Sequence, residues 1–517
     1  MIKGLVKKGE YYDSVSLMIV GKKITEMENV IDATVVMATQ ENKSILKMAG
    51  LYLDEFAQYD DTDMLVVIKL DDEEKFNEIF EQVDNLLYEI RNKKDEQGSF
   101  TTKSLDGALE NQPESNIALI SLAGRYAGAE AMKALKKGLN VMLFSDNVPI
   151  ETEIELKKYA LEHDLLVMGP DCGTAIINDV PLAFSNVVNK GDIGIIAASG
   201  TGLQEVSSII SEEGFGISQA IGTGGRDIKE QVGGMMFLAS LEALQEDEDT
   251  KIIVLVSKPP HPSVLKKIND KLREVTKPVV TIFLGADRDL ISGEDVYVAD
   301  TLEEAALIAC ALSSNEDVEI VKEFIEDRNK ELDAIATEEA RKIGKNRKYI
   351  RGLFSGGTLC DETMIILKKH IDNIYSNRAT DKKYALEDPS VSKEHSLVDL
   401  GEDEFTVGRL HPMMDFTLRN SRILQEAKDE DTAIIYFDLV LGYGAHPDPL
   451  DEILPILKEA QKIAPDISFV CPVIGTEKDP QNREKILKVL EKNNIVVMPT
   501  NASASELVKK IIQKIDR

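Results

Sequence analysis

The chain of 517 residues is strongly acidic: it has 91 Asp and Glu against 60 Lys and Arg, and a formal net charge of −31. Nucleic acids and anionic membranes bind basic surfaces, so the charge argues against both as partners. No apolar run reaches the length of about 18 residues that a membrane span needs. Four cysteines without a Cys-x-x-Cys pair disfavour a zinc site or a disulfide framework, and we expect a cytoplasmic protein without a metal site.

Residues 1–95 predict a small α/β domain. Short apolar runs indicate its strands, and longer amphipathic stretches indicate its helices. The expected strands are Val15–Val20, Ala33–Ala38 and Met64–Leu70, and the expected helices are Asn42–Leu53 and Asp72–Asn92. The following residues 93–115 are polar, contain two glycines and a proline, and predict a linker or mobile loop.

Residues 116–187 alternate between strand and helix patterns, which predicts βαβ units and a parallel sheet. Two loops of this region, Gly124–Gly128 and Gly169–Thr174, directly follow expected strands. Ligands of parallel α/β sheets bind beyond the carboxyl ends of the strands. Both loops are therefore candidate ligand contacts.

The stretch Gly191–Val206 predicts a buried strand, a Ser-Gly-Thr-Gly turn and a helix. The first turn of such a helix has free backbone N–H groups and a partial positive charge, so it can bind an anion. The candidate contacts are Ser199, Gly200, Thr201 and Gly202. The alternative, an ordinary strand–helix turn with a hydroxyl cap, stays open.

Three more strands before residue 312 end in loops rich in glycine, proline or polar residues, which predicts a second parallel α/β layer. In the first of these loops, Gly222 and Gly224 are further candidate anion contacts. Residues 313–348 are rich in charge and predict a helical linker with a solvated face.

The strand–loop–helix pattern returns in residues 349–517 and predicts a third such layer. A strand there is followed by Ser355–Thr358, which repeats the Ser-Gly turn of the second layer. A later strand ends at Gly442-Tyr443-Gly444, and we expect the glycines Gly442 and Gly444 to supply donors that face those of the Ser199 turn.

Several of these motifs together resemble a known family. Residues 116–312 resemble the α subunit of succinyl-CoA synthetase, through Gly169–Thr174, Ser199–Thr201 and the Gly-Thr-Gly-Gly turn at 222–225. Residues 349–517 resemble the carboxyl-terminal ligase domain of its β subunit. This order of domains, with Gly-Arg-Leu-His-Pro at 408–412, is similar to the FdrA family of acyl-CoA synthetase-like proteins.

The resemblance implies an α/β fold of several Rossmann-like and flavodoxin-like parallel-sheet domains. It also implies coenzyme A as the candidate cofactor, with Gly124, Asp171 and Gly173 as contacts. The expected domains are a small N-terminal α/β domain (1–95), a CoA-binding-like Rossmann domain (116–187), a succinyl-CoA ligase-like flavodoxin domain (190–312), a helical linker (313–348) and a C-terminal ligase-like flavodoxin domain (349–517).

The sequence departs from that family where the family carries its phosphate. Succinyl-CoA synthetase phosphorylates a histidine in a Gly-His-Ala-Gly loop, and the corresponding residues here, Gly285–Leu290, contain no histidine. The family's glutamate after the preceding strand is replaced by Ser257-Lys258-Pro259, and no segment resembles the ATP-grasp domain. We therefore expect a site that holds a phosphate, carboxylate or acyl phosphate without phosphorylating the usual histidine.

Other side chains are candidates for catalysis or substrate binding. His261, His411 and His446 each lie beside a proline in a loop, where a general acid or base could act, although such histidines are often merely exposed. Cys172 is expected near a helix start, which could lower its thiol pKa. Arg409 and Arg419 could each bind a carboxylate or phosphate through two hydrogen bonds, or could form interdomain ion pairs instead.

Three classes of function remain open. The first is an acyl-CoA ligase or transferase, which the resemblance implies. The second is a subunit of an oxamate carbamoyltransferase in ureide (allantoin) degradation, and the third is a non-catalytic scaffold or regulatory subunit. The expected substrate is a small anion (acyl-CoA, acyl phosphate or carbamoyl phosphate), and we expect a homo-oligomer or a complex with other subunits.

Overall fold

The structure is a computed structural model that describes residues 1–9, 12, 14–48, 50–72, 75–96, 102, 104–406 and 409–515. The chain forms two compact units. The first contains Met1–Pro113 and Glu402–His411, and the second contains Glu114–Gly401 and Pro412–Arg517.

The first unit is built on an antiparallel sheet of three strands in the order β1-β3-β2. Its strands are β1 (Ile2–Lys7), β2 (Val30–Met37) and β3 (Met64–Leu70), and its helices are α1 (Ser14–Thr25), α2 (Gln40–Met48), α3 (Phe76–Glu96) and α4 (Leu105–Asn111). The small N-terminal α/β domain is thus present, and the predicted strand at residues 64–70 is confirmed.

Two predictions in this unit are wrong. Residues 15–20 lie in α1 and not in a strand. Leu17, Val20 and Ile24 are buried at helical spacing against the sheet, and a six-residue apolar run cannot separate a strand from a buried helix. The expected linker at 93–115 contains the end of α3 and all of α4, while residues 97–101 and 103 lie outside the described residues.

The second unit begins with a parallel sheet of three strands in the order β4-β5-β6. Its elements are β4 (Ile117–Ile120), α5 (Gly124–Lys136), β5 (Asn140–Leu143), α6 (Ile150–Glu162) and β6 (Val167–Met168). This layer has the alternation of strand and helix that the sequence predicts.

A seven-stranded sheet follows in the order β13-β12-β11-β9-β10-β7-β8. Its strands are β7 (Thr174–Ile177), β8 (Val180–Ala183), β9 (Lys190–Ala197), β10 (Ile217–Gly222), β11 (Ile252–Ser257), β12 (Val279–Phe283) and β13 (Val296–Val298), and its helices are α7 (Gly200–Glu212), α8 (Met235–Glu246), α9 (Pro262–Leu272), α10 (Leu302–Ser313) and α11 (Glu319–Lys342). Five strands are parallel, as predicted, but β7 and β8 form an antiparallel hairpin. This hairpin extends the second layer back to residue 174, although the expected boundary was at 187.

The third layer is a parallel sheet in the order β15-β16-β14-β17-β19-β18, with β20 paired to β19. Its elements are β14 (Tyr349–Phe354), α12 (Gly357–Lys368), β15 (Ile374–Ser376), β16 (His395–Asp399), α13 (Asp403–Thr406, in the first unit), α14 (Thr417–Lys428), β17 (Thr432–Phe437), β18 (Leu439–Val440), α15 (Pro449–Ile463), β19 (Ser468–Ile474), α16 (Arg483–Lys492), β20 (Val496–Met498) and α17 (Asn501–Ile515).

The second and third layers share one hydrophobic core. Buried side chains of α7 and α10 pack with those of α12 and α17, among them Leu203, Leu359 and Val508. The regions 190–312 and 349–517, which we expected as separate domains, therefore form one compact unit. None of the helices in the described residues is long and apolar enough to cross a membrane.

Candidate functional site

The starts of α7 and α12 meet at the junction of the second and third layers. Each helix follows a central strand of its sheet, β9 or β14. Ser199 caps α7 by accepting a hydrogen bond from the N–H of Gly202 at 3.1 Å, and its hydroxyl is also hydrogen-bonded to the hydroxyl of Thr358. A Cβ on Gly356 would lie 2.4 Å from Cγ2 of Thr201, so the two turns are in direct contact.

This contact brings two positively polarised helix ends together. Each first turn has N–H groups without a partner in its own helix, and the helix dipole adds partial positive charge there. Two such ends repel each other but both attract an anion. Ser199, Gly200 and Gly357 are partly exposed, so a ligand can reach the junction from solvent. We call the residues 199–201 and 356–358 the helix-end junction.

Two cations lie beside the junction, one from each layer. Lys258 follows β11, and its Nζ is 2.8 Å from Oδ2 of Asp361 on α12. Arg378 follows β15, and its guanidinium binds the same carboxylate at 3.0 and 3.2 Å. Arg378 also contacts Asp399 at 3.2 Å, and burial raises the pKa of Asp399 to about 6 although Arg378 opposes the shift.

A buried polar network holds the start of α12 in place. The carboxylate of Asp438 accepts hydrogen bonds from the N–H of Ser355 at 2.8 and 3.0 Å and from its hydroxyl at 2.6 Å. Arg419 pairs with Asp438 at 3.1 Å and donates to its carbonyl at 2.6 Å. Arg419 is fully buried. Of the two roles that the sequence leaves open for Arg419, the structure shows an ion pair, which lies within the third layer and supports the turn.

Behind the junction, two buried carboxylates cap helices of the opposite layer. Glu205 on α7 accepts from the N–H of Asn501 at 2.8 Å, at the start of α17. Glu362 on α12 accepts from the N–H of Leu302 at 2.7 Å, at the start of α10. Burial raises the pKa of Glu205 to about 8 and that of Glu362 to about 7.

The turn at 442–447 does not supply the facing donors that we expected. The N–H of Gly442 donates to Oε1 of Gln481 at 3.0 Å, and that of Tyr443 donates to the carbonyl of Ser185 at 2.8 Å. Gly444 is exposed and lies against Phe184. The next helix, α15, begins only at Pro449. The helix that faces Thr201 is α12 instead.

The surroundings of Cys172 raise its thiol pKa rather than lower it. Its thiol is buried and donates to the carbonyl of Gly222 at 3.3 Å, and burial raises the thiol pKa to about 12. The expected lowering of that pKa is wrong, because the loop after β6 folds into the protein. Gly222 and Gly224 are also buried. A Cβ on Gly222 would lie 2.5 Å from Sγ of Cys172, and a Cβ on Gly224 would lie 2.3 Å from the carbonyl oxygen of Pro170. The two glycines therefore let the loop after β10 pack closely against the loop after β6.

The candidate coenzyme A contacts differ in access. Gly124 is buried, and a Cβ there would lie 2.3 Å from the carbonyl of Asp146, so the loop after β5 closes the start of α5. Asp171 is exposed. Gly173 is partly exposed and lies next to Gly200. A Cβ on Gly200 would lie 4.0 Å from Cα of Gly173. Asp171 and Gly173 are thus accessible to a cofactor, and Gly124 is not.

The loop histidines have structural partners. His261 caps α9, with Nδ1 accepting from the N–H of Ser263 at 3.4 Å. In His446, Nδ1 accepts from the N–H of Asp448 at 3.2 Å and Nε2 lies 3.0 Å from Glu452.

Arg409 and His411 belong to the first compact unit. Arg409 is exposed and His411 is partly buried. Their roles as substrate-binding and catalytic groups, like those of His261 and His446, stay predictions. Within the described residues, no group of three His, Cys, Asp or Glu side chains could hold a metal ion.

Family profiles match most of the chain. A profile described as CoA-ligase matches residues 353–511, and one described as CoA binding domain matches residues 188–285. The second match covers the layer that carries α7, whereas the sequence led us to expect coenzyme A binding at 116–187. A third profile, described as the heavy metal-associated domain of AllF, matches residues 1–103. None of the four cysteines lies in that range.

The uncharacterized protein YahF of Escherichia coli (strain K12) is 41% identical over 524 residues, which cover 99% of each chain. The chain belongs to the FdrA-like family. The ADP-forming α subunit of succinate–CoA ligase from Staphylococcus epidermidis is 25% identical over 151 residues, which are 28% of this chain and 49% of that subunit.

Among solved structures, acetyl-coenzyme A synthetase 1 of Ca. Korarchaeum cryptofilum aligns with 78% of this FdrA-like chain and 83% of its own, at 17% identity and a TM-score of 0.33. ATP citrate lyase from Methanothrix soehngenii aligns with 41% of this chain and 40% of its own, at 17% identity and a TM-score of 0.34. The domain matches identify a CoA ligase-type protein with coenzyme A as its candidate cofactor.

Proposed function

We propose that this chain transfers an acyl or carbamoyl group from or to a phosphorylated compound at the helix-end junction, without a phosphorylated histidine of its own. The observation that carries the proposal is the contact between the starts of α7 and α12, joined by the Ser199–Thr358 hydrogen bond and open to solvent. An anionic group would meet first-turn N–H groups from two helices there.

The energetics of such a site are sufficient for a metabolite. One helix end contributes roughly 0.3–1 kcal/mol at an exposed site and up to about 2 kcal/mol when partly buried. A charge-assisted hydrogen bond from Lys258 or Arg378 would add about 1.5–3 kcal/mol. Since the chain has a net charge of −31, attraction at long range is weak and binding must come from these close groups.

Coenzyme A fits this proposal at one side of the junction. Gly173 and Gly200 present partly exposed backbone next to each other, so they are the residues that would meet its polar groups. Coenzyme A would supply the thiol that accepts the acyl group. The chain's own residues would hold the phosphorylated partner: Ser199 and Thr358 orient the two turns, and Asp438 fixes the start of α12 through Ser355.

Carbamoyl transfer is the second candidate, as in a subunit of an oxamate carbamoyltransferase of ureide (allantoin) degradation. The observation that favours it is the loop after β12, which lies against α12 through Gly285 and Ile365 but has no histidine from 285 to 290. A carbamoyl phosphate donor is already activated, so its transfer needs neither a phosphohistidine nor ATP.

Transfer assays with the purified full chain test both candidates. Acetyl phosphate or carbamoyl phosphate is the donor, coenzyme A or oxamate is the acceptor, and phosphate release and product mass are measured. We expect turnover with at least one pair. No turnover with any pair, alone or with added partner subunits, would favour a non-catalytic scaffold or regulatory subunit.

The variant Gly200→Glu tests the place of the reaction. A Cβ on Gly200 has ordinary contacts, the nearest being 3.5 Å from Oγ1 of Thr174, so a carboxylate can be placed at the start of α7. We expect turnover to be lost because the added charge occupies the anion site. The matched control is Ser292→Glu, which adds the same charge at an exposed loop residue. Normal turnover in G200E would place the reaction elsewhere.

A further inference from the structure

Lys258 and Arg378 share one carboxylate oxygen. Nζ of Lys258 and Nη2 of Arg378 lie 2.8 and 3.2 Å from Oδ2 of Asp361, and Nε of Arg378 lies 3.0 Å from Oδ1. The two cations come from different layers, after β11 and after β15, and both bind this side chain. Asp361 thus bridges the layers one turn beyond the start of α12.

The position of Arg378 is electrostatically unusual. A Cβ on Gly357 would lie 2.5 Å from Cζ of Arg378, so the guanidinium rests directly on the first turn of α12. Cations are disfavoured at a helix start because the dipole is positive there. Two helix ends and two cations therefore concentrate positive charge at the junction, and Asp361 and Asp399 are the carboxylates that bind the cations.

The exposure of these groups shows which of them can move. The side chain of Lys258 is 42% exposed and that of Asp361 is 19% exposed, whereas Asp399 is 4% exposed and also accepts from the N–H of Gly401 at 2.9 Å. Asp399 is fixed in the protein, but Asp361 and Lys258 border solvent. A ligand that enters beside Gly357 would therefore compete with Asp361 for the two cations.

We infer that Asp361 takes the place of a substrate phosphoryl group in the ligand-free protein, and that a phosphoryl dianion displaces it to bind Lys258 and Arg378. This deepens the proposed function, on which it rests for the location of the site. The carboxylate keeps the two cations oriented until the substrate arrives. A phosphoryl group has three oxygens and two charges, so it can bind both cations and the first-turn N–H groups together.

Binding of inorganic phosphate to the full chain, measured by calorimetry at low ionic strength, tests this competition. Asp361→Asn removes the competing charge with little change of shape, and we expect it to bind phosphate about tenfold more tightly than the parent. Lys258→Gln and Arg378→Gln should each weaken binding about tenfold or more. Gly357→Ala should also weaken it, because the new Cβ moves the guanidinium without changing any charge.

The control is Asp270→Asn on α9, whose carboxylate pairs with exposed Lys266 at 2.7 Å. It removes the same charge from an exposed ion pair away from the junction and should leave phosphate affinity unchanged. Thermal melting checks that each variant is folded. If R378Q does not fold, K258Q alone tests the contribution of the cations. The inference is wrong if D361N binds phosphate no more tightly than the parent. It is also wrong if neither D361N nor the parent binds phosphate measurably.

Two outcomes separate this inference from the proposed function. If D361N binds phosphate more tightly but no donor and acceptor pair gives turnover, the subsite is supported and the transfer activity fails. If turnover occurs while D361N shows no gain in affinity for phosphate, the activity stands and Asp361 is a structural bridge.

Discussion

Glu205 and Asn501 are joined by a hydrogen bond of 2.8 Å from the N–H of Asn501 to Oε1 of Glu205, across the interface of the second and third layers. The bond between Leu302 and Glu362 repeats this relationship in the opposite direction. Each layer thus supplies, from the helix that starts at the junction, the cap of a helix in the other layer. A buried carboxylate at a helix start is stabilised by the dipole, but its burial disfavours the charge.

The first prediction concerns the pH dependence of stability. Burial raises the pKa of Glu205 to about 8, while the unfolded value is 4.5. Between these values the folded chain binds more protons than the unfolded chain, so this group lowers the free energy of unfolding as the pH rises. Glu205→Gln keeps an acceptor for Asn501 but cannot titrate. Its stability relative to the parent should rise by on the order of 1–4 kcal/mol between pH 5 and 8.5.

Urea unfolding of both proteins across this range measures the difference. The comparison with the parent removes the groups that titrate independently of Glu205. Glu362, Glu303 and Arg483 act on Glu205 and therefore contribute to the measured difference. Glu213→Gln, at an exposed carboxyl directly after the same helix, is the control and should give a smaller change. A constant difference between E205Q and the parent at all pH values would mean that Glu205 is ionised throughout.

The second prediction concerns the contact between the two turns. Gly356→Ala places a Cβ 2.4 Å from Cγ2 of Thr201, and we expect a loss of about 1–3 kcal/mol in the free energy of unfolding. Thr201→Ala removes that methyl group, so the double variant should recover part of the loss. Gly225→Ala, which meets nothing closer than 3.7 Å, is the control. Independent, additive effects of G356A and T201A would contradict the contact.

The sequence predicts one half of the junction well. The apolar run before Ser199 and the Ser-Gly-Thr-Gly turn indicate a strand, a turn and a helix, and β9 and α7 have that form. The similar turn at Ser355–Thr358 gives the other half, and this repeat was the available signal for the pairing. The family resemblance points instead to Gly442 and Gly444, whose loop packs on the end of β8.

Other features could not be read from the sequence because they depend on contacts between distant segments. Lys258 stands where the resembling family has a glutamate, but Asp361 and Arg378 belong to no motif. Only the packing of two sheets brings the three charges together. The burial of Cys172 depends on the approach of the loop at Gly222. The β7–β8 hairpin did have a local signal: Asn178 and Asp179 form a two-residue turn, both with positive φ.

The third prediction concerns the reactivity of Cys172. A thiol with its pKa raised to about 12 by burial has almost no thiolate at neutral pH, and the thiolate is the reactive form. We expect iodoacetamide at pH 7.5 to leave Cys172 unmodified in the folded chain and to modify it in urea. Peptide mass mapping measures the modified fraction. Rapid modification of the native chain at this residue would restore it as a candidate nucleophile.

The last prediction concerns phosphorylation by ATP. The loop that carries the phosphohistidine in succinyl-CoA synthetase has no histidine here, from Gly285 to Leu290. Two loop histidines elsewhere are held in place: His446 contacts Asp448 and Glu452 through its two ring nitrogens, and His261 caps α9. A histidine that attacks a phosphoryl group needs a ring nitrogen free to approach it. Both ring nitrogens of His446 have partners, so His446 is not prepared for that role. We expect no acid-labile, alkali-stable phosphate on the chain after incubation with radiolabelled ATP and magnesium.

A succinate–CoA ligase treated in the same way is the positive control. Such a phosphate mapped to any histidine of this chain would contradict the prediction and return the protein to the ATP-dependent ligase cycle.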